Sequence, residues 1–383
     1  MATASHTLKD QLEDSSVPTF LFGCTPPREG TDNDKAQTSC TKFASRSAVL
    51  ATDGFIVYDI QDEKGRTEME RPFPFRKTLD PSWYGSLFPT QSGKQTVIYK
   101  CVVESSLDNF KAWFNEACDR YNHNSFVLVG APTSSRTYSG CTMKDAAAVI
   151  AETPGATFGC VAIAERHTKK NNEHKNMMRK QNYGAEYFIT QGIFTSGPII
   201  RLIKDYGELC KELDVPCKKM ILTFAPCGRE KTLTFIKWLG MHVPEEVHAR
   251  IFAAKTPNLK EGERDLGPVR ESCKILTEVF QEVLNGIVGC GVPIGINVES
   301  LSIFREEIDA AHSLFQTLQS QLLNSRGKPW AIKWYCVGAG GNAYSDIVIV
   351  EKERERKKRD ILVTALIAGI FGAVISRSQL LKR

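Results

Sequence analysis

The stretch TFGCVAIAERHTKKNNEHKNMMRKQNYGAEYFITQ, residues 157–191, decides the fold. It opens on an apolar run, Thr157 to Ile163, continues through a polar segment into one of helical period, His174 to Tyr183, and closes on a second β-branched and aromatic run, Glu186 to Thr190. Strand, helix and strand in this order form a βαβ unit, and such units build parallel sheets. The pattern repeats in both directions. Strands are predicted near Thr19–Cys24, Phe55–Ile60, Val97–Val102, Phe126–Gly130, Thr157–Ile163, Glu186–Thr190, Lys219–Phe224 and Pro293–Val298. Helices are predicted near Lys35–Ala51, Leu107–Arg120, Lys144–Glu152, His174–Tyr183, Pro198–Leu213, Glu230–Gly240, Pro244–Ala254, Val269–Val288 and Ile303–Leu323. Eight alternating strands fit a (β/α)8 TIM barrel with a C-terminal extension. An open doubly wound sheet would carry a glycine-rich phosphate turn after its first strand, and the turn here is Thr25-Pro26-Pro27-Arg28. Gly289, Gly291 and Gly295 lie between a helix and a strand at the wrong spacing and are turn glycines.

Composition limits the function. The chain has 383 residues, 42% of them apolar and 24% charged, so it can bury a large core and is not disordered as a whole. Its net charge of +5 is concentrated at one end. Residues 351–383 hold nine Lys/Arg and four Asp/Glu, leaving residues 1–350 with forty of each and no net charge. A generally basic nucleic-acid binder is excluded on that ground. The twelve cysteines are scattered, with no CxxC and no Cys/His ligand cluster, which suits reduced thiols in the cytoplasm. The seven histidines form no HExxH, so no metal site is expected.

The chain divides into a polar N-terminal tail (residues 1–17), the barrel (18–328), an extra strand and turn (329–350), and a charged linker with an apolar helix (351–383). The tail at the start has neither the apolar core of a signal peptide nor the Arg-rich face of a transit peptide. Near the other end, Ile361 to Ile375 contains no charged residue and is flanked by Lys357, Lys358 and Arg359 on one side and Arg377, Lys382 and Arg383 on the other. As a helix it would span roughly 22 Å, short of the ~30 Å hydrocarbon core. Two readings stay open: a terminal helix packed on the barrel, or a C-terminal membrane anchor that leaves the barrel in the cytoplasm.

In a barrel of this kind the site lies at the carboxyl ends of the strands. Strand five runs into Glu165-Arg166-His167 and then Lys169, Lys170, Glu173, His174, Asn176, Arg179 and Lys180, a polar cluster suited to phosphates or to the hydroxyls of a sugar or ribityl chain. Strand six ends in Ile189-Thr190-Gln191, where the amide offers one donor and one acceptor to a heterocycle edge. Strand one ends in Gly23-Cys24-Thr25 and strand four in Gly130-Ala131-Pro132, and neither offers a general acid.

These segments resemble the methylenetetrahydrofolate reductase family. The likeness is carried by Glu165-Arg166-His167, Asn172-Glu173-His174 and Gly184-Ala185-Glu186-Tyr187-Phe188-Ile189-Thr190-Gln191, with support from Pro26-Pro27-Arg28 and Gly240-Met241-His242-Val243-Pro244. It spans about Pro18 to Leu323. The resemblance implies a barrel that binds FAD and uses NAD(P)H to reduce 5,10-methylenetetrahydrofolate to 5-methyltetrahydrofolate. It implies that His167, Glu173, Asn176, Arg179 and Lys180 lie near the flavin's ribityl and phosphate portion, and that Gln191 contacts the folate pterin. His167, Lys180 and Gln191 are therefore expected in one pocket. The family's strand-one glutamate and strand-four aspartate fall on Gly23 and Ala131, leaving Thr25, Arg28, Asp59 and Glu299 as possible replacements. The competing reading is a barrel that binds folate or a nucleotide without turning it over, tethered to a membrane by its C-terminal helix.

Truncation after Asp360 separates the two readings of the tail. If the tail is an anchor, the shortened chain moves from the membrane pellet to the soluble fraction with its thermal midpoint unchanged. A packed helix instead covers apolar surface, so its removal lowers the midpoint.

Overall fold

Why eight strands close here follows from how each divides its side chains. In the computed structural model, which describes residues 7–62, 67–131, 137–256, 259–260 and 263–325, the strands are β1 Phe20–Cys24, β2 Gly54–Val57, β3 Thr96–Cys101, β4 Ser125–Val129, β5 Thr157–Ala162, β6 Tyr187–Gly192, β7 Lys219–Phe224 and β8 Ile294–Val298. All neighbours are parallel, and β8 returns to β1, closing the (β/α)8 barrel. Almost every strand position is buried, because one face meets the barrel interior and the other meets helices. Leu21, Ile56, Val97, Val127, Ile189 and Ile221 fill the interior. Their chain neighbours Phe22, Phe55, Phe126, Phe188 and Leu222 pack outward in the larger core beneath the helices.

The helices are α1 Leu8–Glu13, α2 Asn33–Ser47, α3 Pro81–Gly85, α4 Phe88–Ser92, α5 Leu107–Asn115, α6 Met143–Ala151, α7 Ala164–Lys170, α8 Glu173–Asn182, α9 Ser196–Glu212, α10 Glu230–Trp238, α11 Glu245–Ala253, α12 Gly267–Gly286 and α13 Arg305–Ser325. Four of them are additions to the sequence reading. α3 and α4 lie in the long β2–β3 connection, where Asp80 caps α3 by accepting from the backbone of Ser82 and Trp83. α7 is two turns of polar sequence. The helix expected to run through Arg120 keeps α geometry only to Asn115 and finishes as a π turn over Glu116–Arg120.

The fourth addition, α1, corrects the expectation of a simple polar tail over residues 1–17. Thr7 and Asp10 form a reciprocal capping box, with Thr7 N to Asp10 Oδ2 at 3.0 Å and Asp10 N to Thr7 Oγ1 at 3.2 Å. Leu8 and Leu12 are buried in the same cluster as the barrel interior, so α1 plugs the amino-terminal end. Gly54 on β2 makes the space, since a Cβ there would stand 2.6 Å from Leu8 Cδ2. Polar contacts fix the plug: Leu8 N donates to Gln95 Oε1 at 2.9 Å and Gln11 Nε2 to Pro18 O at 2.8 Å. Lys219, only 1% exposed, donates its ammonium to Gln11 O and, at 2.7 Å, to Thr19 Oγ1. Burying that charge is tolerable because oxygen acceptors surround it.

No helix among the described residues is long and apolar enough to cross a membrane. The extra strand and turn expected over 329–350 and the apolar segment 361–375 lie outside the described residues.

Leu12→Ala empties the centre of the plug. The expected loss is about 2–4 kcal/mol in urea unfolding, the range for a leucine truncated in a packed core. Ligand binding at the opposite end of the barrel stays unchanged in the folded fraction.

Candidate functional site

The inward positions at the carboxyl ends of the strands are Tyr58, Tyr99, Val129, Val161, Gln191, Thr223 and Glu299, and they line a cavity of about 530 Å³. That volume lies in the range of small-molecule sites. Leu128, Ile163, Met143, Leu239 and Met241 supply apolar walls, while Lys144, Arg166, Arg179 and Lys180 put cations along the loop side. Three of those four cations, Lys144, Arg166 and Arg179, are solvent-exposed.

The floor is polar and tightly packed. Glu299 follows β8 and is 8% exposed. Burial pushes its carboxyl up to about 7, against a partial opposing effect of the hydrogen bond from Tyr58. The Tyr58 phenol is itself driven far above its usual range, first by burial and then by the neighbouring Glu299 charge, so it remains a donor. Asn297 Nδ2 donates to Tyr58 Oη at 3.0 Å, and the Tyr58 and Tyr99 rings meet edge to face at 4.9 Å. A second carboxyl, Asp59, is raised by burial and accepts from Cys101 N at 2.8 Å and Gln61 Nε2 at 2.7 Å.

The room beside Gly23 on β1 is taken. A Cβ at Gly23 would stand 2.9 Å from both Glu299 Cβ and the Tyr58 ring. No side chain fits on β1 at this level, because a carboxyl from β8 and a phenol from β2 fill the space. Ala131 lines the cavity without a substitute on its own strand, so Glu299 and Asp59 are the lining carboxyls among the described residues.

Gln191 reaches the cavity as expected. The β6–β7 register shifts between Ile189 and Gly192, and Thr223 N turns to the Thr190 hydroxyl at 2.9 Å. Such an irregularity re-aims the side chain beside it. Gln191 Nε2 donates to Leu239 O at 2.5 Å, which fixes the amide and leaves its carbonyl oxygen outside that bond.

Of the five residues expected along a flavin, Arg179 and Lys180 line the cavity. Lys180 Nζ is tied to Val161 O at 2.6 Å and lies 3.9 Å from Glu173. The other three stand behind the wall. Glu173 is completely buried, accepting from Ile163 N at 3.3 Å and from Asn176 Nδ2 at 3.0 Å, so it and Asn176 brace the β5–α7 turn. His167 is also completely buried, and its Nε2 is 2.7 Å from Asp205 Oδ2. His167 therefore does not share the pocket of Lys180 and Gln191. Three of the five thus stand outside the cavity lining.

The chain is similar to a solved protein from Clostridium thermocellum described as binding two copies of 5-methyl-5,6,7,8-tetrahydrofolic acid. The two are 27% identical, the match covers 82% of this chain and 99% of that one, and the TM-score is 0.68. A β-1,4-mannanase matches at 12% identity over 79% of this chain and 99% of that one, with a TM-score of 0.46. A dihydropteroate synthase from Xanthomonas albilineans matches at 11% identity over 82% and 97%, with a TM-score of 0.39. These last two carry no argument about the site. No protein-family model matches the chain, and no curated protein does.

The raised Glu299 carboxyl links protonation to stability. The native state holds this proton more tightly than the unfolded chain, so the contribution of Glu299 to stability falls as pH rises from about 4.5 through about 7, by on the order of 3 kcal/mol, and that contribution is level outside the window. Glu299→Gln flattens this slope in urea unfolding, gaining on the wild type above the window and not below it. Tyr58→Phe removes the hydrogen bond that favours the charged form and moves the carboxyl midpoint upward in infrared titration.

Proposed function

We propose that the barrel binds a reduced folate in its carboxyl-terminal mouth and acts on the one-carbon unit that the folate carries. The observation that carries the reading is the similarity, over 82% of this chain, to the methyltetrahydrofolate-binding protein from Clostridium thermocellum. The cavity supports it chemically. Gln191 meets the amide and amine edge of the pterin, the apolar walls cover its rings, and Arg166, Arg179 and Lys144 at the rim suit the folate carboxylates.

The reaction that fits is the one the sequence resemblance implies, reduction of 5,10-methylenetetrahydrofolate to 5-methyltetrahydrofolate. A reduced nicotinamide supplies the hydride. Glu299, whose carboxyl titrates near neutrality, delivers a proton to a folate nitrogen as its bond to the methylene carbon breaks, and that carbon accepts the hydride. Tyr58 holds Glu299 in place, and the apolar walls flank the reacting carbon. No step passes through flavin.

A binding-only barrel is the second reading, favoured by the bare Gly23 and Ala131 positions. Turnover of methylenetetrahydrofolate with NADH or NADPH decides between them. In the catalytic reading Glu299→Gln lowers the rate by about 10²–10⁴ while 5-methyltetrahydrofolate binding persists. In both, Gln191→Ala weakens folate binding by about 1–3 kcal/mol in calorimetry, since an unpaired buried edge is costly. Unchanged affinity in Gln191→Ala would remove the pterin from this end of the cavity.

A further inference from the structure

A second cluster of ligating groups lies outside the cavity lining, where α7, α8 and α9 meet. α7 stops at Asn171, whose left-handed φ of 49° lets its N–H return to the His167 carbonyl at 2.7 Å. The chain reverses within two residues and α8 begins at Glu173, which brings His174 back against His167. The two imidazole rings stand 5.0 Å apart at 80°. Asp205 reaches in from α9, with Oδ2 2.7 Å from His167 Nε2. One ligand atom from each of the three residues lies within 4.8 Å of the others.

The hydrogen bonding of this group is incomplete. His167 is completely buried, yet its Nδ1 has no hydrogen-bond partner, and the buried Nδ1 of His174 has none either. Buried polar atoms are nearly always paired, and because Asp205 meets His167 at Nε2, an ion shared with Asp205 takes that nitrogen, so the unpaired nitrogen of His174 is the one that points to a ligand taking lone pairs. Asp205 supplies a negative charge and, at 30% side-chain exposure, a route to solvent.

We infer that His167, His174 and Asp205 form a binding site for one divalent transition-metal ion of the zinc class. Two imidazoles and one carboxylate suit Zn2+, Co2+ or Ni2+ and disfavour Mg2+ and Ca2+, which require mostly oxygen ligands. Tetrahedral bonds of about 2.0–2.1 Å set ligand atoms roughly 3.3 Å apart, so the His167–Asp205 pair at 2.7 Å opens slightly and His174 closes from within 4.8 Å, with water in the fourth position. Arg201 does not block the site. Its Nε is 3.8 Å from Asp205, but it is 55% exposed and its Nη2 already donates to Asn171 Oδ1 at 2.9 Å. The metal joins α9 to the two helices that carry Arg166, Arg179 and Lys180. The site departs from the expectation of no metal, and it gives His167 a role unconnected with flavin.

The test is Co2+ titration of the full-length, chelator-stripped protein. The expected result is one equivalent of Co2+ with visible d–d bands of nitrogen and oxygen ligation, displaced by Zn2+ and not by Mg2+, and a thermal midpoint raised by Zn2+. His174→Ala and Asp205→Ala, each checked for folding by circular dichroism, weaken Co2+ at least tenfold. Absence of the bands in the wild type, sulfur-to-cobalt charge transfer marking a cysteine site, displacement by Mg2+, or bands undiminished in a folded variant overturns the assignment.

Discussion

In a closed parallel barrel, the side chains of every strand divide by parity between an interior of fixed volume and a jacket of helices. Here the division sets Leu21, Ile56, Val97, Val127, Ile189 and Ile221 against one another inside, while phenylalanines at neighbouring positions anchor the helices outside. Interior volume is the scarce quantity. Each large group that enters requires a position with no side chain opposite. Leu8 of the plug takes the room left by Gly54, and at the other end Tyr58 and Glu299 take the room left by Gly23.

That constraint shapes the chemistry of the mouth as well as its packing. A carboxyl held between a phenol and apolar strands loses hydration, and this loss, more than any neighbouring charge, moves Glu299 toward neutrality. The cations meanwhile stay at the rim, where Lys144, Arg166 and Arg179 remain in water. The cavity thus separates a proton-holding floor from an anion-attracting edge. A single site can then treat the reacting and the recognised parts of one ligand differently.

Much of this was legible in the residues. All eight strands could be placed because both faces of each are buried, which gives continuous apolar runs that need no alternation to be recognised. Gln191 could be placed because the end of a barrel strand fixes what faces the mouth. α1 and α7 could not, since six or seven mainly polar residues carry too little period, and only tertiary contacts reveal that Leu8 and Leu12 are core. Glu299 was one of several candidate acids in the sequence, and only the close approach at Gly23 shows that its side chain occupies the room β1 leaves. The His167, His174 and Asp205 grouping left no signature, because a left-handed turn at Asn171 and a separate helix bring the three together. Their spacing along the chain matches no single helix face.

The plug carries a consequence for how the chain reaches its fold. Lys219 on β7 is bonded to the Gln11 carbonyl across 208 residues, so the first helix gains this partner, the last of its polar contacts in chain order, only after seven strands have been made. Closing so long a loop is entropically costly, and such non-local contacts form late. During synthesis Leu8 and Leu12 must therefore wait, either exposed or held by partial barrels. The end of the molecule that looks simplest in the finished structure is the part whose assembly depends on nearly all the rest.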